Sequence, residues 1–196
     1  MQNIDRFNLV KRHHPVVLDV QPLSPLSVGN GEFAFTVDLT GLQSFPESYE
    51  CPLGTQSQWG WHSSGGHDAY TLQDVALQRY EADARGVGYP IAPQGREQAY
   101  HWLRQNPHRL QLGQIGLILA SSQGKTLSIH DLEQPEQTLD LWSGLLTSTF
   151  LVEGMAVRVQ TCCHPHWDQI GVRIESPLLE RGMLQVAIRF PSPKSD

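Results

Sequence analysis

Phe33-Ala34-Phe35-Thr36-Val37-Asp38-Leu39-Thr40 alternates without a break: Phe33, Phe35, Val37 and Leu39 fall on one side, and Ala34, Thr36, Asp38 and Thr40 on the other. Successive side chains of an extended chain point to opposite faces, so period two with one polar face marks a half-buried antiparallel strand. The signature recurs toward the C-terminal end. Leu184, Val186, Ile188 and Phe190 alternate with Gln185, Ala187 and Arg189, and Ile170, Val172 and Ile174 with Gln169, Gly171 and Arg173. Leu146, Phe150 and Val152 are spaced around Ser148, and Val157 and Val159 around Arg158 and Gln160. Turn residues at Ser143-Gly144, Glu153-Gly154, Pro165-His166 and Arg181-Gly182 separate these runs. Together they predict an antiparallel meander from about 136 to 191. Further strands are expected over 16–20, 115–120 and 127–130. The fold class is therefore mainly β, an antiparallel β-sandwich of eight or more strands, with residues 1–196 as a single domain.

Composition narrows the function classes. The chain has 196 residues, long enough to bury a core without staples. Twenty acidic residues against 14 basic give a net charge of -6 and a pI near 5.8. That balance argues against a nucleic-acid or anionic-membrane partner, both of which reward dense Lys and Arg. No run reaches the apolar length of a transmembrane helix, and the opening Met1-Gln2-Asn3-Ile4-Asp5-Arg6 has no apolar signal core. Three cysteines, two of them adjacent at Cys162 and Cys163, make no disulfide framework. The expected location is the cytoplasm.

The middle of the chain differs. Residues 41–95 hold 8 of the 17 glycines, few period-two runs and seven aromatics: Phe45, Tyr49, Trp59, Trp61, Tyr70, Tyr80 and Tyr89. Such a stretch reads as an ordered, loop-rich insertion. Ala99, Trp102 and Leu103 recur at helical spacing before Pro107, predicting a short helix. Leu72, Val75, Ala76 and Tyr80 fit a second helix or a strand.

Three segments are candidates for chemistry. Gly29-Asn30-Gly31 is a turn of residues that tolerate positive φ, read either as a plain hairpin turn or as part of a site. Gln43-Ser44-Phe45-Pro46-Glu47, with Gln58-Trp59-Gly60-Trp61-His62, sets loop aromatics beside amides, a carboxylate and an imidazole. Indole faces pack on the C–H face of a pyranose while Gln, Glu and His bond its hydroxyls, so these residues suit sugar recognition. The alternative is that Trp59 and Trp61 roof the core. Cys162, His164 and His166 share one face of an extended strand, but zinc asks for four ligands at turn-type spacing. No metal or cofactor is expected from that segment. Glu32, Asp38, Glu47, Glu50, Asp68 and Asp74 are available for paired acid–base work on glycosides, yet nothing in the sequence sets two of them at a working separation, and no Gly-x-Ser-x-Gly elbow is present.

The run Pro25-Leu26-Ser27-Val28-Gly29-Asn30-Gly31-Glu32-Phe33-Ala34-Phe35 resembles the opening of inverting enzymes built on a six-hairpin helical toroid, bacterial disaccharide phosphorylases and α-L-fucosidases among them. Asp38-Leu39-Thr40-Gly41-Leu42-Gln43-Ser44-Phe45-Pro46 and Gln58-Trp59-Gly60-Trp61-His62 are similar to a bacterial branch of six-hairpin glycosidases. In those proteins a galactose-mutarotase-like supersandwich precedes the helical catalytic barrel. The resemblance covers about 15–191. It implies the N-terminal accessory domain of a glycoside hydrolase or phosphorylase, packed on a helical-barrel domain and shaping its sugar site. Asn30, Gln43, Glu47, Trp59, Trp61 and His62 would face the carbohydrate, and no catalytic residue carries over because the barrel that supplies it is not in this sequence. Two other readings stay open: a stand-alone carbohydrate-binding module, and a mutarotase-type sugar epimerase with His62 and Glu47 as proton-transfer groups.

Overall fold

The computed structural model describes residues 4–63, 69–82 and 85–190. In chain order these form α1 (Arg6–Lys11), β1 (Val16–Val17), β2 (Ser27–Gly29), β3 (Phe33–Thr36), β4 (Thr55–Ser57), β5 (Trp61–His62), β6 (Gln78–Ala82), β7 (Arg85–Tyr89), α2 (Glu97–Gln105), β8 (His108–Arg109), β9 (Gln114–Leu119), β10 (Glu133–Asp140), β11 (Leu145–Val152), β12 (Met155–Cys163), β13 (Ile170–Glu175) and β14 (Leu184–Arg189). The protein is mainly β, with antiparallel sheets of the sandwich-like class. Its contacts divide it into two compact units, the first running up to Ser57 and resuming at Gln111, the second spanning Gln58–Leu110.

In the first unit β1, β10, β11, β12 and β13 form a five-stranded antiparallel sheet in that order, so the predicted meander holds from β10 to β13. Glu153 (φ 49°) and Gly154 (φ 72°) make the two-residue turn that joins β11 to β12, with both central residues at the positive φ such hairpins need. Gln134, at φ 49°, and Pro135 sit in a bulge where the β10–β11 register shifts. Two smaller sheets, β2-β3-β4 and β9-β14, supply the rest. Phe33, Phe35, Leu117, Leu119 and Leu184 from these meet Leu146, Phe150, Val152, Val157 and Val159 of the large sheet in one core.

Four expectations need correction. The run over 33–39 stops being a strand at Thr36, and Asp38 and Thr40 are buried rather than on a polar outer face. Their backbone turns inward because side chains supply the bonds a ladder would have made. Residues 127–130 are not a strand: Ser128 and Asp131 form a reciprocal capping box that closes a 3-10 turn at Ile129–Asp131. The stretch 16–20 gives only the two-residue β1. Finally, β14 leaves the meander to pair with β9, after the carbonyl of Leu178, a fully buried residue, accepts the N–H groups of Met183 and Leu184.

The second unit holds α2 where the helical spacing placed it, and two short antiparallel pairs, β5 with β8 and β6 with β7. Its small core is Val75, Ala99 and Tyr100, with Tyr70 and Leu103 packed against them. The 72–80 stretch splits into a 3-10 turn at Leu72–Asp74 and then β6.

Candidate functional site

The most constrained polar segment of the first unit is the buried loop that follows β3. On the inner face of the large sheet Gln137, Ser148 and Thr161 are fully buried polar residues, neighbours through the strand register. The loop sits on them. Gln137 Nε2 donates to the Asp38 carbonyl at 2.7 Å and to Ser148 Oγ at 2.9 Å, and Thr161 Oγ1 donates to the Gly41 carbonyl at 2.8 Å. Gly41 has φ 85°, and a Cβ there would stand 2.9 Å from Ser148 Oγ.

Asp38 organises the loop from inside. Its Oδ1 accepts the backbone N–H of Thr40 at 2.8 Å and the Thr40 hydroxyl at 2.5 Å, and Oδ2 accepts the Phe45 N–H at 2.7 Å. Thr40 Oγ1 lies 2.7 Å from Ser44 Oγ, which in turn accepts the Leu117 N–H of β9. With Asp38 ionised, donors run in one sense along the chain: Leu117 to Ser44, Ser44 to Thr40, Thr40 to the carboxylate. Burial pushes the Asp38 carboxyl up to about 6, opposed by the Thr40 hydroxyl and the N–H groups of Phe45, Thr40 and Ser44. Tyr49, whose hydroxyl oxygen accepts the Leu39 N–H, is pushed up to about 12, first by its own burial and then by the Asp38 charge.

Gln43 belongs to this loop. It is fully buried, and its side chain bridges the Thr36 carbonyl and Thr55 Oγ1, which ties β3 to β4. Glu47 is exposed, in the 3-10 turn Pro46–Ser48, on a cleft of about 430 Å³ that Thr126, Ser128 and Arg189 also line.

Asn30 is at a second cleft of the same unit. Its Oδ1 accepts the N–H groups of Glu32 and Phe33, fixing the turn between β2 and β3, and Gly31 takes φ 95° there. Its Nδ2 donates to the carbonyls of His164, 3.3 Å, and Trp167, 3.1 Å, in the loop between β12 and β13. The cleft beside it, about 490 Å³, is lined by Ser27, Gly29, Asn30, Leu139, Cys163 and Pro165 among others. Burial first, then Asp168 and Cys162, push the Cys163 thiol up, so it lines the cleft as a neutral group rather than a nucleophile. Among the described residues no three His, Cys, Asp or Glu side chains come together as a metal site.

Trp59, Trp61 and His62 belong to the second unit and are not core. Trp59 is 67% exposed and Trp61 49%. The β5–β8 register sets Trp61 opposite Arg109 and His62 opposite His108. The Arg109 guanidinium lies 4.5 Å from the Trp61 ring centroid, and the two imidazoles are 5.2 Å apart, edge to face. The Trp61 backbone N–H bonds the Trp59 carbonyl, so the two indoles share one braced turn.

Asn30, Gln43 and Glu47 are thus in the first unit but at three different places, while Trp59, Trp61 and His62 share one place in the second. Of the carboxylates available for acid–base work, Asp38 is enclosed, Asp74 caps a 3-10 turn by accepting from Thr71, and Asp68 lies outside the described residues. The sequence reading missed Trp167, an exposed indole in the loop that Asn30 holds. Its signal was present, since Pro165-His166 marks a turn and an apolar ring two residues on has no strand face to occupy. No helix among the described residues is long and apolar enough to cross a membrane. A scan of protein-family models and searches of curated proteins and of solved structures find no match to this chain.

Proposed function

We propose that this chain is a carbohydrate-recognising accessory domain, of the kind that packs on the helical barrel of a glycoside hydrolase or phosphorylase and shapes its sugar site. The observation that carries the reading is the Trp59–Trp61 turn. Two indoles stand outside any core, two residues apart, with Trp61 held by Arg109. Rigid exposed indoles bind the apolar face of a pyranose at little entropic cost. His62 and, on the same turn, Gln58 supply hydroxyl partners. The packing half of the reading draws support from β14, which pairs only with β9 among the described residues and, with the Phe190 that follows it, leaves Val186, Ile188 and Phe190 exposed along one face.

Titration of the whole chain with soluble oligosaccharides, followed by tryptophan emission, tests it. Saturable quenching or enhancement that disappears in W59A/W61A is the expected result. An emission spectrum indifferent to every glycan overturns it. A stand-alone binding module remains the second reading, favoured by the same two exposed indoles. Binding undiminished when the edge residues Val186 and Ile188 are made polar is common to both, whereas assembly with a barrel domain that V186K/I188K abolishes belongs to the first alone.

A further inference from the structure

The loop between β12 and β13 is built as a support. Its residues are few, yet several of its backbone groups and side chains bond within the loop or to Asn30 and Ser57. His164 N–H donates to the Gln169 carbonyl and the Gln169 N–H to the Trp167 carbonyl. His164 Nδ1 accepts the N–H groups of both His166 and Trp167 at 3.1 Å. With Nδ1 accepting, Nε2 is the ring's donor. Asn30 grips the loop from more than 130 residues away through two carbonyls, and Ser57 Oγ donates to Asp168 Oδ2 at 2.5 Å.

What this frame carries is an indole. Trp167 stacks on His164, ring centroids 4.7 Å apart and planes 17° from parallel, and remains 66% exposed. One ring face is backed by imidazole and the other is presented to solvent. The cleft of about 490 Å³ starts at the same Asn30 and at Pro165, two residues before the indole. Its lining among the described residues includes the hydroxyls of Ser27 and Ser143 and the side chains of Leu139 and Leu141, and no lysine or arginine.

We infer that Trp167 is the platform of a glycan subsite on the first unit, built from residues other than the Trp59–Trp61 turn, and that it takes an uncharged pyranosyl residue. The open indole face receives the ring's C–H face, while the His164 Nε2–H and the serine hydroxyls of the cleft meet hydroxyl groups. A cleft without a cation does not select phosphorylated or acidic sugars. Asn30 is a positioning residue: its amide is occupied by the loop, and it acts on the ligand through Trp167. The inference rests on the sugar-recognition reading for its ligand class but on different residues for its site.

The test uses the whole chain with ¹⁵N-labelled tryptophan. The five indole N–H signals are assigned by single Trp→Phe variants and titrated with cellohexaose, xylohexaose, mannohexaose and maltohexaose. A saturable shift of the Trp167 signal is expected with at least one. For that glycan W167A weakens binding at this subsite about tenfold, the size of one lost stacking contact. W167F, which keeps a ring, restores most of it, and Asn30→Ala weakens it while leaving the Trp59 and Trp61 signals where they were. Shifts confined to Trp59 and Trp61, with W167A binding normally, overturn this inference and leave the proposed function standing. Shifts confined to Trp167 do the reverse for the Trp59–Trp61 assignment. No shift with any of the four overturns both.

Discussion

Replacing Asp38 by asparagine removes the buried charge and keeps the shape. The wild-type carboxyl titrates at about 6 in the folded protein against an ordinary 3.8, because burial disfavours its charged form more than its hydrogen bonds favour it. The folded state therefore holds the proton more tightly than the unfolded chain. The stability this gives is fully present below pH 3.8 and is lost as pH rises through about 6. Two pH units at about 1.4 kcal/mol each make about 3 kcal/mol. The D38N side chain has no such proton, but its amide nitrogen confronts a donor where Oδ1 or Oδ2 accepted one, a constant penalty of about 1–3 kcal/mol. Asp74, Asp131 and Asp140, held low by local hydrogen bonds, add a pH dependence of their own at the acid end, below the Asp38 window, and wild type and D38N share it. The useful quantity is thus the difference between wild type and D38N, from urea unfolding at several pH values between about 4 and 7. That difference moves in favour of the wild type by about 3 kcal/mol as pH falls, setting in near pH 6 and half complete near pH 5. The ¹³Cγ shift of Asp38 in the folded protein reports the site directly, with its midpoint at about 6. A difference flat with pH means that the carboxylate is not desolvated as described, and the account of the buried loop fails with it.

Other substitutions probe other contacts. Gly116→Ala sets a Cβ 2.5 Å from the Gln43 carbonyl oxygen and 2.8 Å from its carbon. Both are backbone and cannot swing aside, so unfolding by urea shows a loss of about 3 kcal/mol. Phe150→Ala empties the centre of the large sheet's inner face and costs about 3–5 kcal/mol in the same assay. Asn30→Ala removes four hydrogen bonds at the β2–β3 turn. It costs about 1–2 kcal/mol globally and speeds hydrogen exchange at the His166 and Trp167 amides, because their loop loses its outside grip. Arg109→Ala leaves stability within about 1 kcal/mol but alters tryptophan emission, since the guanidinium over Trp61 is gone.

The strands that the sequence revealed are those whose two faces meet different surroundings. β11 buries Leu146, Phe150 and Val152, and β12 buries Val157 and Val159, all at period two. The same logic misleads where burial is polar. Asp38 and Thr40 look like the wet side of a strand, yet they are enclosed because Gln137, Ser148 and Thr161 wait for them on the opposite wall. No local pattern reveals a partner 99 or 120 residues away. Strands as short as β5 and β8, two residues each, carry no period at all and exist through their neighbours. At the site the residue types were readable and their grouping was not. The aromatic pair Trp59 and Trp61 stands out by composition and is exposed rather than roofing a core. Gln43, singled out by the same loop, is turned inward to brace β3 against β4.

The buckle at 38–44 also sets a clock. Its closing contacts come from Leu117, Gln137, Ser148 and Thr161, the last of them 120 residues after Gly41. A ribosome adds about 5–20 residues per second, so Gly41 emerges about 6–24 s before the hydroxyl that fastens its carbonyl. Through that interval Phe33, Phe35 and Val37 lack the complete large sheet that covers them. Nascent chains stalled before Thr161 therefore display this apolar run to protease and chaperone, and the run is fully covered only once Leu178 and Leu184 of the same core have followed.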